Sequence, residues 1–295
     1  MIEGSILLGI DWGTSNRRAY LVHRDGRCLA RHADGYGMLA VGGAFAASLA
    51  ALREDMQVGP DVPTVMSGMV GSASGWQEVP YLDTSVPLAQ LPQHVAAVDG
   101  HPGCLIVPGY CQRSDGIDVM RGEETQLLGA LAMGLTDGWV VLPGTHSKWV
   151  KLEDGKVASL ATYMTGELFA MLASSGTLAA LMAPGEDDEA AFAAGMQEAQ
   201  LGRALSHALF GVRARVVAKE MAAAKARSFV SGLLIGAEFA AARQQPGSTV
   251  HIIAAHALSH RYASAAAHFG AAAQVRNPDQ VYLAALSRFF GKVDP

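Results

Sequence analysis

The chain has 295 residues, with 22 Lys and Arg against 27 Asp and Glu for a net charge of −5; half of its residues are hydrophobic and 17% are charged. This composition excludes a disordered, collagen-like or disulfide-scaffold chain, and a length above the usual domain of about 100–150 residues calls for two lobes or one large α/β domain. The mildly acidic balance, with no cluster of basic residues, lacks the electrostatic footprint that nucleic-acid binding requires.

In chain order, a strand at 5–10 meets a glycine turn, a second strand follows at 17–23, and Asp25-Gly26 forms a hairpin turn into a third strand at 27–32. Asp11 interrupts the first apolar run before a signal-peptide core can form, so no targeting segment is read there. A helix is predicted around 44–53 and short strands at 64–66 and 104–107, with the Gly-, Ser- and Pro-rich segment 68–87 as an ordered loop. A helix over 123–134 carries Glu123 and Glu124 in its first turn, where the macrodipole favours acids.

The pattern then starts again. Trp139 to Leu142 is an apolar run, Gly144-Thr145 a turn, 148–152 a strand, Asp154-Gly155 a second hairpin turn and 157–163 a third strand. Equivalent landmarks recur at the same spacing to within two residues, the mark of a domain-scale duplication. Helices are predicted at 168–182, 189–209 and 228–243, the last stopped by Gln245-Pro246-Gly247. The apolar stretch from Leu168 to Ala183 is broken by Ser174, Ser175, Gly176 and Thr177, short of the roughly 20 residues that span a bilayer. A strand at 251–255, a helix at 258–269 and a final helix capped by Asn277-Pro278 and stopped by Gly291 complete the chain. Cys28, Cys104 and Cys111 are an odd set without C-x-x-C spacing, which fits a reducing, cytoplasmic setting.

Two turns carry candidate chemistry. Asp11-Trp12-Gly13-Thr14-Ser15-Asn16 places an acid at a strand end before small donors, a pattern that suits phosphate oxygens and a hydrated Mg²⁺; an ordinary polar hairpin turn is the alternative. Pro143-Gly144-Thr145-His146-Ser147-Lys148 repeats the donor-rich turn and adds a lysine to neutralise phosphate charge. His251, His256 and His260 lack a carboxylate at a recognised metal-site spacing.

Asp11 to Asn16 with Arg18, Met66 to Ser72 with Gly75-Trp76 and Pro80-Tyr81, Val119 to Gln126, Pro143 to Val150, Met164 to Leu168 and Ser231 to Glu238 form a set of motifs. In these motifs the chain resembles the 2-dehydro-3-deoxygalactonokinases of the sugar kinase/Hsp70/actin superfamily, and the resemblance has further implications. It implies an α/β, two-lobed actin-like ATPase fold of the ribonuclease H-like type, with a central cleft and lobes at 1–118 and 119–277; the helix at 278–295 is expected to pack back on the first. It also implies ATP-dependent phosphorylation of the 6-hydroxyl of 2-dehydro-3-deoxy-D-galactonate, with ATP and Mg²⁺ as cofactors. Asp11 would hold the metal; Gly13, Thr14, Ser15, Asn16, Gly144, Thr145 and His146 would face the nucleotide, with Lys148 beside them. A hydroxyl nucleophile needs a carboxylate to take its proton, and Glu123 and Glu124 lead over Asp118 for that role. Neighbours on a helix do not share a face, so only one of the two points at substrate. Arg18 and Arg121 suit the sugar carboxylate, with Gly71, Ser72, Trp76, Thr165, Gly166 and Glu167 lining the sugar pocket; packing inside its loop is the other reading of Trp76. Where the superfamily has a glycine-rich turn against adenine, this chain has Ala254-Ala255-His256-Ala257-Leu258. A related sugar-acid kinase, a phosphatase of the same superfamily and a nucleotide- or sugar-acid-binding protein that has lost catalysis remain alternatives, and oligomeric state is open, a homodimer included.

Overall fold

The computed structural model describes residues 5–114, 116–242 and 247–293. The chain divides into two compact units: the first takes residues up to 137, 150–160 and those from 277 onward, the second 138–149 and 161–276.

The first unit opens with strands β1 (Ile6–Trp12), β2 (Arg17–His23) and β3 (Cys28–Asp34), then helices α1 (Met38–Val41) and α2 (Phe45–Asp55). Strands β4 (Thr64–Gly68), β5 (Leu82–Asp83), β6 (Ala96–Ala97) and β7 (Cys104–Ile106) follow, then a hairpin of β8 (Tyr110–Gln112) and β9 (Asp118–Met120) and helix α3 (Glu123–Ala132). The main sheet runs in the order β3-β2-β1-β4-β7-β6, with β1 antiparallel to β2 and parallel to β4. As a central strand β1 is buried along most of its length, whereas the edge strand β3 is mostly exposed or half-buried. Trp12, Phe45, Met66 and Ile106 belong to the core between this sheet and α2.

Strands β10 (Gly138–Leu142), β11 (Ser147–Glu153) and β12 (Lys156–Tyr163) come next, and β11 and β12 cross the boundary between the units. Asp154 (φ +50°) and Gly155 (φ +70°) form the tight turn joining them, the left-handed pair that a two-residue hairpin needs. Helices α4 (Thr165–Ser174), α5 (Glu189–Gln200), α6 (Leu205–Val217) and α7 (Ala226–Ala242) precede strand β13 (Thr249–Ile253), helix α8 (His256–His268) and strand β14 (Ala272–Arg276). The second sheet runs β12-β11-β10-β13-β14, the same order of first hairpin, central strand and later parallel strands as in the first unit. Helix α9 (Pro278–Leu286) belongs to the first unit and lies on α3, where a Cβ on Gly129 would come 1.9 Å from the Val281 carbonyl oxygen; α10 (Phe290–Val293) ends the described chain.

The structure differs from the sequence expectations at several elements. The helix foreseen at 189–209 is two helices, because Gly202 at φ +66° closes α5 and the chain turns before α6. The helix foreseen at 168–182 starts at Thr165 and ends at Ser174, followed by a 3-10 turn at Ala179–Leu181. The loop 68–87 contains a 3-10 turn, Met69–Gly71, and the short β5. Gly291 does not stop a helix: α9 ends at Leu286, and Gly291 lies inside α10. Helix α3 falls in the first unit rather than at the head of the second. The foreseen stop at Gln245-Pro246, and Arg243 before it, lie outside the described residues.

Helices α5 and α7 meet through reciprocal glycines. A Cβ on Gly195 would stand 2.1 Å from the Phe229 carbonyl oxygen, and one on Gly232 would stand 2.0 Å from that of Phe192. Backbone cannot yield as a side-chain tip does, so Gly232→Ala should destabilise the protein by about 2–3 kcal/mol in urea denaturation; an unchanged midpoint would mean that the crossing tolerates a wider spacing.

Candidate active site

In the first unit the site grows from the end of β1. Asp11 pairs in register with Arg18 on β2 and Ser67 on β4, and Arg18 Nη2 donates to Asp11 Oδ2 at 2.6 Å. Behind these strands α9 supplies Asp279, which accepts from the Tyr20 hydroxyl at 2.7 Å, and Tyr282, whose hydroxyl lies 3.0 Å from Ser67 Oγ. After Trp12 the turn closes by the Gly13 N–H donating to the Asn16 carbonyl at 2.9 Å, which leaves Thr14, Ser15 and Asn16 exposed. Gly37 sits directly on this turn, where a Cβ would come 2.4 Å from the Ser15 carbonyl carbon.

A second cluster surrounds the start of α3. Arg121 stacks its guanidinium over the Tyr81 ring at 4.2 Å and donates from Nη2 to the Val79 carbonyl at 2.7 Å. Its Nε and Nη1 are buried without an acceptor, and Gly71 lies against Nη1, where a Cβ would approach to 2.9 Å. The backbone N–H groups of Arg121 and Gly122 donate to Glu123 Oε2 and Glu124 Oε2, at 3.1 and 2.6 Å. The two acids differ sharply in environment: Glu123 is half-buried and Glu124 fully buried. Burial, reinforced by the Glu123 charge, pushes the Glu124 carboxyl up to about 8, against the pull of its backbone hydrogen bonds. Asp118, on β9, is half-buried and accepts from the Val119 N–H at 2.7 Å. Ser72 turns its hydroxyl back onto the Met69 carbonyl at 2.8 Å. Trp76 is engaged in packing, stacked on Phe45 with centroids 6.1 Å apart and edge-on to His101 at 4.9 Å.

In the second unit the turn after β10 exposes Gly144, Thr145 and His146. The start of α4 rests on it: the Glu167 N–H donates to the Thr145 carbonyl at 2.9 Å, and His146 Nε2 pairs with Glu167 Oε2 at 2.6 Å. A cavity of ≈ 270 Å³ opens beside the turn, with Gly144, Thr165, Ser231, Ala257, Leu258 and Arg261 in its wall. Arg261 Nη1 donates to Ser231 Oγ at 2.6 Å and its other arm pairs with Asp187. Behind the cavity Glu238 is 1% exposed; Ser147 Oγ and Trp149 Nε1 donate to its Oε2 at 2.8 and 2.7 Å, Tyr262 donates to Oε1 at 2.6 Å, and Thr165 adds a further hydrogen bond. Burial pushes its pKa up while these donors oppose the shift. Side chains alternate along a strand, so Lys148 leaves β11 on the face opposite Ser147 and Trp149 and is buried there.

The sequence reading thus finds its residues grouped within each unit: Asp11 with Arg18 and the Gly13 turn, Gly71 with Arg121 and Glu123, and the Gly144 turn with Thr165, Gly166 and Glu167. Several surroundings differ from the roles foreseen: Arg18, expected on the sugar carboxylate, pairs with Asp11; Glu124 is sealed; Thr165, Gly166 and Glu167, expected in the sugar pocket, lie at the Gly144 turn and its cavity; Lys148 is buried on the opposite face of β11; and Trp76 follows the packing reading. It assigned no role to Ser231, Glu238, Arg261 or Tyr262. Glu238 left a readable trace, a lone acid inside the apolar run from Leu233 to Phe239.

A sheet order that recurs in both units, with a donor-rich turn after the first strand of each, defines an actin-like ATPase fold. The 2-keto-3-deoxy-galactonokinase family model matches residues 11–289. The chain is 36% identical over 97% of its length, and 97% of the relative's, to a protein of Rhizobium meliloti (strain 1021) provisionally named a 2-dehydro-3-deoxygalactonokinase. It is also 36% identical to the 2-dehydro-3-deoxygalactonokinase of Escherichia coli (strain K12), over 88% of each chain. A solved structure from Sinorhizobium meliloti, provisionally assigned the same activity, superposes with a TM-score of 0.91 at 33% identity, covering 98% of this chain and 99% of that one. The chain belongs to the 2-keto-3-deoxy-galactonokinase family, phosphotransferases with an alcohol group as acceptor.

The buried acid generates a stability prediction. Between the ordinary glutamate value of 4.5 and about 8 the folded protein keeps the Glu124 proton that the unfolded chain has released, so this group's contribution to stability falls as pH rises through that window. Glu124→Gln removes the fall, and its stability relative to the unsubstituted protein should climb between about pH 5 and about pH 8 in urea denaturation. A difference that stays constant with pH would contradict a neutral buried carboxyl.

Proposed function

We propose that the chain transfers the γ-phosphoryl group of ATP to the 6-hydroxyl of 2-dehydro-3-deoxy-D-galactonate. The observation that carries this reading is the pairing of family membership with the cavity at the Gly144 turn, an apolar recess beside exposed backbone donors. Such a recess suits a nucleoside, and the turn with the N-terminus of α4 suits its phosphates. From the segment that departs from the superfamily's glycine-rich turn, 254–258, Ala257 and Leu258 form part of the cavity wall.

Among the described residues no group of three His, Cys, Asp or Glu is placed to hold a metal ion. Mg²⁺ in kinases needs only one or two carboxylates, since substrate phosphates and water complete its shell, and Asp11 beside a turn of exposed hydroxyls meets that requirement. Bound with the nucleotide, Mg²⁺ supplies charge neutralisation on the phosphates. Arg18, held at 2.6 Å, orients the Asp11 carboxylate and adds positive charge beside it.

For the sugar acid, Arg121 supplies the positive charge that a carboxylate needs, and its buried Nε–H and Nη1–H have no acceptor within the protein. Glu123 is the proton acceptor of choice, because it is half-buried and next to Arg121, whereas Glu124 is sealed from solvent and holds its own proton at neutral pH. The sugar hydroxyl oxygen attacks the γ-phosphorus, its proton passes to Glu123, and ADP departs.

A coupled assay with ATP and each epimeric 2-dehydro-3-deoxy acid tests the reading. ADP should appear only with the galactonate-derived acid, with phosphate on its C6 oxygen; nucleotide hydrolysis that ignores the acceptor would indicate a phosphatase instead. Asp11→Asn and Glu123→Gln should each lower kcat by about 10²-fold or more while changing the KM for the sugar acid little. Undiminished turnover in either variant removes that residue from the chemistry.

A further inference from the structure

Glu238 has no part in the chemistry above, yet it is a nearly inaccessible carboxylate on α7 that receives hydrogen bonds from three other segments. Ser147 and Trp149 lie on β11 immediately after the Gly144 turn. Thr165 is the first residue of α4, the helix that rests on that turn, and Tyr262 lies on α8. Thr165 and Tyr262 also form part of the cavity wall. We infer that Glu238 is a positioning residue for the nucleotide: by tying β11, α4 and α8 to one carboxylate it fixes the Gly144 turn and the cavity wall in the shape that binds phosphate and nucleoside.

The chemistry of the hub supports a role beyond filling space. A carboxylate accepts at both oxygens, and every neighbour presents a hydroxyl or an indole N–H, so four donors from three segments are satisfied by one group. An apolar residue would leave those donors buried and unpaired, and a glutamine would turn an NH₂ toward at least one of them. Tyr262 Oη also stands 3.2 Å from Ser147 Oγ, so two of the donors meet each other as well as the acid. Gly166 completes the arrangement: a Cβ there would come 2.3 Å from the Gly144 carbonyl oxygen, so a small displacement of α4 moves the turn with it.

The inference rests on the cavity being the nucleotide site, and calorimetric titration with ADP and Mg²⁺ separates the two. Glu238→Gln should weaken ADP by about tenfold, the cost of one buried donor left without an acceptor, and raise the KM for ATP in parallel while the KM for the sugar acid changes less than about twofold. Tyr262→Phe and Ser147→Ala, which each delete one donor and leave the acid in place, should weaken ADP by about threefold and remain informative if Glu238→Gln does not fold. Glu198→Gln is the control: that acid is also buried, but pairs with Arg203 and Arg215 on the α5–α6 side, so its loss should lower thermal stability and leave ADP affinity unchanged. If the unsubstituted protein binds no ADP, the nucleotide reading and this inference both fall. If it binds ADP and the Glu238, Tyr262 and Ser147 variants lose only thermal stability, the nucleotide reading stands and the positioning role is overturned.

Discussion

The turn at Gly144 keeps its shape because a helix lies directly upon it, and that contact exists only where residue 166 has no side chain. An exposed run of Gly, Thr and His has little means of holding one conformation by itself; the energy that orders it must come from neighbours. Here the Thr145 carbonyl is taken by the first turn of α4, and the strand leaving the turn is anchored from below. The first unit solves the same problem in the same way, with Gly37 pressed on the backbone of Ser15. The shape of both turns depends on these backbone-to-backbone approaches.

Nearness in sequence and nearness in environment part company around the site. Glu123 and Glu124 open the same helix, yet one is half-buried and the other sits in a medium that favours its neutral form. Ser147 and Lys148 follow each other on one strand and leave it on opposite faces. Asp11 and Arg18 are separated along the chain but meet across a β ladder, so each fixes the other's direction. In each case the backbone geometry, rather than the residue type, decides which group is available to a ligand.

Much of this was readable before the structure. Both hairpin starts, their Asp-Gly turns and the helix beginning at Glu123 follow from local pattern and turn chemistry, which are properties of a few adjacent residues. The division of the 189–209 segment was not readable, because Gly202 in an apolar-polar helical pattern is tolerated until tertiary contacts favour a turn. Strand β14 has a mixed pattern, Ala272 to Arg276, and gains its identity only by pairing with β13. The site shows the same limit. Motif residues on turns were found by type and spacing, while the Glu238 hub joins residues from four elements and has no local signature beyond one acid in an apolar run. Trp76 could be a packed aromatic or a binding one until Phe45 was seen stacked upon it.

The route of the chain has a consequence for its synthesis. The first unit begins with β1 but is finished by α9, whose Val281 meets Gly129 of α3 and whose Leu286 covers Gly9 of β1. Its opening sheet must therefore wait on the ribosome with an apolar face uncovered while the second unit, 138–149 and 161–276, emerges. A domain made first is completed last, so its exposed intermediate persists for about 7–28 seconds at ordinary rates of translation. Chaperone demand during production should accordingly centre on the N-terminal sheet.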